Sequence, residues 1–201
     1  MSHSAEPFSV DLEAATQALV LAEAAARNVL EMLEDAPSGD LHLAIFSLPT
    51  DSSGPPPEAE DAPAVVEFID RHLVADHGAT GTSARVEALG FSKKDITRLK
   101  AFECVRTGVD AYAAILTKQK FDGATRSYGS HLFRQITPDG TTAPLIAAAS
   151  GWRGDQDYVA VMMVPATLQC VLLEFGVLPR DLIVSSAFVL ASGAWEYPAR
   201  S

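Results

Sequence analysis

Five side chains able to bind a phosphate or a base edge lie within eight consecutive residues near the middle of the chain. They combine four cations with one hydroxyl: Lys93, Lys94, Thr97, Arg98 and Lys100. Lysine and arginine neutralise phosphate charge, and both also bind the edge of guanine in the major groove. These residue types at this spacing predict contacts with nucleic acid, provided that one helix presents them to solvent.

The charge of the chain changes sign along its length. Residues 1–92 hold sixteen acidic and three basic side chains, a net charge of −13. Residues 93–134 hold four and nine (net +5), and residues 135–201 hold six and three (net −3). A charge asymmetry of this kind indicates the binding partner rather than the fold. It favours DNA, or an acidic protein, as the partner of the basic block.

Residues 82–102 resemble the helix-turn-helix DNA-binding motif. The first helix of the resemblance is SARVEAL (83–89), and the turn is GFS (90–92). The second helix has Ile96 and Leu99 as inward anchors. A glycine permits the bend between two crossed helices, and a serine caps the helix that follows. The second helix of such motifs enters the major groove. The resemblance therefore implies that the five polar side chains of the second helix contact DNA.

The sequence thus predicts a non-enzymatic, DNA-binding regulatory protein. We expect a homodimer, because paired half-sites supply the contacts that one motif lacks. The alternative is a protein-interaction or assembly module whose basic face meets an acidic partner. A third interpretation is a hydrolase or transferase that uses Cys104 with His72 or His131. The apolar neighbours of Cys104 and Cys170 instead favour reduced, buried thiols.

A second polar group precedes and enters the C-terminal third of the chain and could line an anion site. Its members are Arg126, Tyr128, His131 and Arg134. His72 and His77 are five residues apart, about 140° around a helix, so they do not form a metal-binding pair. No glycine-rich phosphate loop follows a strand. We therefore predict no catalytic residue, no metal and no cofactor.

Hydrophobic periodicity predicts the elements that must position these side chains. Predicted helices cover residues 10–35, 64–75, 83–89, 93–106, 109–120 and 166–175, and predicted strands cover 41–48, 131–136, 143–150 and 158–164. Residues 182–190 could form either a strand or a buried helix. The fold class is α+β, with a helical centre and an antiparallel or mixed sheet in the C-terminal half.

The acidic, proline-rich segment 49–63 is predicted to be a flexible linker. It separates an N-terminal unit (1–48) from a main domain (64–201), which has a helical part (64–122) and a mostly β part (123–201). The longest uncharged run, 158–173, is shorter than the roughly 20 residues of a membrane span. With no secretory start either, the sequence predicts a soluble, cytoplasmic protein without membrane contact. The apolar stripe of helix 10–35 predicts dimerisation through Leu19 and Leu30.

Overall fold

The computed structural model describes residues 10–50, 53–81, 90–108 and 129–178. Within these ranges the chain forms four helices and four strands. In chain order they are α1 (Leu12–Met32), β1 (His42–Ser47), α2 (Ala62–Asp70), β2 (Leu73–Gly78), α3 (Lys93–Thr107), β3 (Ser130–Ile136), β4 (Thr142–Ser150) and α4 (Gly154–Glu174).

The four strands form one antiparallel sheet in the order β2-β1-β4-β3. The predicted α+β class is confirmed. The predicted hairpin is the β3–β4 pair of the C-terminal half, and β1 and β2 extend the same sheet. Five of the six residues of β1 are buried, as expected of an inner strand covered on both faces.

Helices cover both faces of the sheet, so the fold has three layers. Side chains along a strand point alternately to opposite faces. Leu43 and Ile45 of β1 pack in a core with α1 and α4. Ala44 and Phe46 pack in a second core with α2 and α3. The sheet therefore separates two hydrophobic cores, each closed by a pair of helices.

Local signals set the ends of α3 as predicted. The Ser92 hydroxyl accepts a hydrogen bond from the Asp95 N–H at 3.1 Å, and the Asp95 carboxylate accepts one from the Ser92 N–H at 2.9 Å. This reciprocal arrangement is a capping box. Gly108 ends the helix in the left-handed conformation with φ 65°, which glycine adopts without steric penalty.

Three predicted elements differ from the structure. The predicted helix 64–75 ends at Asp70, and its last apolar residues belong to β2, where Leu73 pairs with Phe46 of β1. The predicted strand 158–164 and the predicted helix 166–175 are one helix, α4, with Pro165 in its interior. An uninterrupted apolar run has the same pattern in a buried strand and in a helix that is apolar on all sides, so periodicity could not distinguish them.

The predicted division at residues 49–63 does not separate two structural units. β1 pairs with β2 on one side and with β4 on the other, so strands from both predicted domains share one sheet. Leu19 and Leu30 of α1 are buried in the core shared with α4, which contradicts their predicted place in a dimer interface. The predicted elements at 83–89, 109–120 and 182–190 lie outside the described residues.

Candidate functional site

The helix that carries the predicted DNA-contact residues is packed inside the protein. α3 lies on the sheet beside α2, and Ile96, Leu99 and Phe102 contribute to that core. Arg98 is 0% exposed and Lys100 is 2% exposed, and Lys93 and Thr97 are buried as well. The buried cations Lys93, Arg98 and Lys100 therefore face other parts of the chain, and each must find a partner there.

Arg98 joins α3 to two other elements, α2 and β2. Its Nε donates to Asp70 Oδ1 of α2 at 2.6 Å, and its Nη2 donates to Asp76 Oδ2 of β2 at 3.3 Å. A third bond runs from Nη1 to the Lys94 carbonyl at 3.3 Å. The guanidinium also lies 5.8 Å from the ring centroid of Phe46. These contacts use the planar donor set of arginine to fix three elements together.

His42 of β1 extends this cluster. Its Nδ1 lies 3.1 Å from Thr97 Oγ1, and its Nε2 lies 3.6 Å from Asp76 Oδ2. Burial and the nearby charge of Arg98 lower the pKa of His42 to about 4, so the ring is neutral at physiological pH. A hydroxyl, a histidine and a carboxylate in line are also the components of a nucleophilic triad. Thr97 and His42 are both buried, so in this conformation a substrate cannot reach the hydroxyl.

Lys100 makes a second internal ion pair beside β4. Its Nζ donates to Asp157 Oδ2 of α4 at 2.7 Å and to the Ala149 carbonyl of β4 at 2.6 Å. The other Asp157 oxygen accepts the Trp152 N–H at 3.0 Å. Burial raises the pKa of Asp157 to about 6, although the charge and hydrogen bond of Lys100 lower it. Lys100 thus connects the two helical layers around the sheet.

A glycine makes room for this ion pair. Gly129 has φ +134°, and a Cβ there would lie 3.0 Å from Lys100 Nζ and 2.9 Å from the Ala149 oxygen. A side chain at this position would therefore displace the ammonium group or the strand. The conformation and the close approach both require glycine.

These positions contradict the predicted DNA contacts of four residues. Thr97, Arg98 and Lys100 are buried in the interactions described above, and the Nζ of the buried Lys93 donates to the Asp40 carbonyl at 3.0 Å. A buried side chain cannot reach a phosphate or a base edge. Of the five predicted residues only Lys94 is partly exposed. The first helix of the helix-turn-helix resemblance, 83–89, lies outside the described residues.

The predicted anion site is only partly described. Arg126 and Tyr128 lie outside the described residues. His131 and Arg134 are three residues apart on β3, so their side chains point to opposite faces of the sheet. The His131 ring stacks on Phe133, with centroids 6.0 Å apart, and Arg134 Nη1 donates to Thr142 Oγ1 at 3.2 Å. The two described members therefore do not converge on one ligand.

The thiols differ from each other. Cys104 is buried, as predicted, and its thiol donates to Ser130 Oγ at 3.3 Å. Cys170 of α4 is exposed, which contradicts its predicted burial. No group of three or more metal-ligating side chains occurs among the residues for which the structure gives positions.

The outer face of α4 is a surface that sequence reasoning missed. Its inner residues fill the core, yet Met162 is 42% exposed, and Ala166 and Cys170 are exposed as well. Three further apolar residues on this face are half-buried. Together we call them the α4 stripe: Val159, Met162, Met163, Ala166, Cys170 and Leu173. Their three- and four-residue spacing places them on one face of the helix.

The α4 stripe contains no acidic or basic residue along its length. The first charged neighbours are Asp157 before it and Glu174 after it. Val20 and Leu21 of the adjacent α1 are also exposed apolar residues. The sequence shows the uncharged run 158–173, but the interpretation of residues 158–164 as a buried strand did not predict that one side of the run faces solvent.

By length and mean hydropathy, α4 is also sufficient to cross a membrane, and nearly half of its apolar window is buried inside the protein. Core helices of other proteins meet the same criterion, so this property alone does not identify a membrane span. No protein-family model matches the chain, and no curated protein matches it. Among the residues that the structure describes, the candidate site therefore consists of two internal ion-pair clusters, around Arg98 and around Lys100, and one uncharged stripe that faces outward.

Proposed function

We propose that this protein is a protein-interaction or assembly module that binds its partner through the α4 stripe. The observation that carries the proposal is that the solvent-facing side of the 21-residue helix α4 has no charged residue between Asp155 and Glu174. Amphipathic helices on a protein surface normally present polar residues to water. An outer face without charged residues is best explained by a partner that covers it.

The character of the docking surface follows from the internal position of the cations. An acidic partner bound to the face of α3 would need exposed lysines and arginines there, whereas Lys93, Arg98 and Lys100 are buried, and Arg98 and Lys100 are paired with carboxylates of the same chain. An apolar surface instead gains about 25 cal/mol for each Å² removed from water. The partner is therefore expected to present an apolar surface of its own.

A charged substitution within the stripe tests the proposal. Met162→Glu places a carboxylate at an exposed position, so the fold should tolerate it while docking is lost. Met32→Glu is the matched control, because Met32 is 83% exposed and lies at the end of α1, outside the stripe. Both variants should show the same thermal unfolding curve as the unmodified chain.

The unmodified chain and the two variants are then each isolated from host cells under native conditions, and the masses of the complexes that they form are measured. We expect complexes above the monomer mass with the unmodified chain and with Met32→Glu, and only monomer with Met162→Glu. Complexes that survive Met162→Glu, or a monomer in all three cases, would refute the proposal. Specific DNA fragments in the complexes would instead support the competing prediction, in which residues 93–134 bind nucleic acid.

A further inference from the structure

We infer that the partner on the α4 stripe is a second copy of this chain, with the two α4 helices antiparallel about a two-fold axis at Ala166. This inference rests on the proposed function and identifies the partner. Three features support it: the order of side-chain sizes along the stripe, the charges at its two ends, and the strong net charge of the rest of the chain.

The stripe is self-complementary when it is reversed about Ala166. Position 159 then lies opposite position 173, and position 162 lies opposite position 170. Val159 therefore meets Leu173, Met162 meets Cys170, and Ala166 meets its own copy. Each of these pairs is apolar, and the bulky methionine faces the smaller cysteine. The remaining member, Met163, lies opposite the uncharged Gln169. An isologous interface requires this kind of reciprocal matching.

The small side chains lie where two helices must approach most closely. Packed helices have axes about 8–10 Å apart, and their Cα atoms lie about 2.3 Å from each axis. Two Ala166 Cα atoms at the axis would then be roughly 4–5 Å apart. Alanine fits this separation, whereas a large residue at the centre would hold the helices apart.

Charge selects the antiparallel direction. Asp155 lies at the start of α4 and Glu174 at its end. A parallel pair would place each of these acids beside its own copy. An antiparallel pair places Glu174 near the first turn of the partner helix, where Asp155 is already paired with Arg153 at 2.8 Å and the end of the helix is positive. The chain carries a net charge of −11, so two copies meet with least repulsion on a surface without acids.

The available area is consistent with a reversible dimer. In each copy, α4 and the neighbouring α1 are both about 31 Å long and 10 Å wide. Together their outer sides give a footprint of roughly 600 Å² for each copy. Typical stable interfaces bury about 800 Å² for each partner. We therefore expect an interface at the small end of the range for specific complexes, and a dimer that dissociates on dilution.

Charge exchange across the stripe tests both the partner and the register. Sedimentation velocity is measured on the purified full chain over a concentration series. Met162→Glu and Cys170→Lys should each weaken self-association at least tenfold, because each places a charge against an apolar side chain. An equimolar mixture of these two variants should associate at least tenfold more tightly than either alone, since position 162 of one copy faces position 170 of the other. If a mixture of Met162→Glu with Met162→Lys is restored instead, the helices are parallel and the inference is wrong.

A cysteine at the two-fold axis gives an independent readout. Ala166→Cys in a Cys170→Ala background should form a disulfide-linked dimer under mild oxidation, because the two sulfur atoms meet at the axis. The control is Met32→Cys in the same background, which should remain monomeric. An unmodified chain that is folded but monomeric at every concentration overturns the inference. Suppose that the purified chain is monomeric but Met162→Glu still abolishes the complexes isolated from cells: the stripe then binds a different protein, and the proposed function stands. If Met162→Glu leaves those complexes intact, both the homodimer and the proposed function are wrong.

Discussion

Replacement of Lys100 by methionine should destabilise the fold strongly. The substitution keeps the length of the side chain but removes the ammonium group that lies 2.7 Å from Asp157 Oδ2. Asp157 would remain buried with its Trp152 N–H bond and without its counter-ion. Removal of one partner of a buried ion pair typically lowers the free energy of unfolding by about 3–5 kcal/mol.

The size of this loss should depend on pH. Burial raises the pKa of Asp157 from 3.8 to about 6 in the folded chain while Lys100 opposes the rise. Without Lys100 the folded-state pKa rises further. Because the pKa of Asp157 is higher in the folded chain than in the unfolded chain, protonation of this carboxyl favours the folded state. The stabilisation is complete below about pH 4 and disappears as the pH rises through the folded-state pKa. A tenfold change in the proton affinity of the carboxylate corresponds to about 1.4 kcal/mol, so Lys100→Met should lose little stability near pH 4 and most near pH 8.

Urea unfolding followed by circular dichroism at pH 4.5, 6.0 and 7.5 measures the effect. Lys94→Met on the same helix is the control, and it should change stability by less than about 1 kcal/mol because Lys94 is partly exposed. In the double variant Lys100→Met with Asp157→Asn, the loss of stability should no longer depend on pH, because the carboxylate that titrates has been removed. A loss below about 1 kcal/mol at pH 7.5, or an equal loss at all three pH values, would refute the buried ion pair.

Three further substitutions test the packing of α3. Arg98→Met should lower the free energy of unfolding by about 1–3 kcal/mol, less than for a fully buried pair because Asp70 and Asp76 are 41% and 33% exposed; unchanged urea unfolding would mean that Arg98 is not held inside. Ser92→Ala removes the helix cap and should lower stability by about 1 kcal/mol, seen as a drop of a few degrees in Tm; an unaltered Tm contradicts the capping box. Gly129→Ala should lower stability by about 1–3 kcal/mol through strain at its positive φ, and a neutral result in the same melt would argue against the close approach of Lys100.

The parts of the fold that could be predicted from sequence are those with local signals. Ser92 and Gly108 mark the ends of α3, and Asp139 and Gly140 mark the turn of the hairpin. β2 was missed because Leu73 continues the apolar spacing of α2 although the helix has already ended. The order of the sheet depends on pairings between distant segments, such as β1 with β4, which no local pattern contains.

The sequence predicted which helix carries the candidate site but not where its side chains lie, because their partners are also distant in sequence. The polar residues of α3 identified an important helix, but not the direction in which they point. Charged residues are rarely fully buried unless they are paired, and the carboxylates that pair with them are far away in sequence: Asp70 is 28 residues from Arg98, and Asp157 is 57 residues from Lys100. Only the folded chain brings these charges together.

The central place of β1 also has a consequence for synthesis on the ribosome. β1 leaves the ribosome before its neighbour β4, which follows about 100 residues later because Ser47 pairs with Leu145. At roughly 5–20 residues per second, β1 waits about 5–20 s for that neighbour. During this interval a hydrophobic strand has one unpaired edge, which can bind other nascent chains. We therefore expect chains truncated before Thr142 to aggregate, and the full chain to depend on chaperones while it is being made.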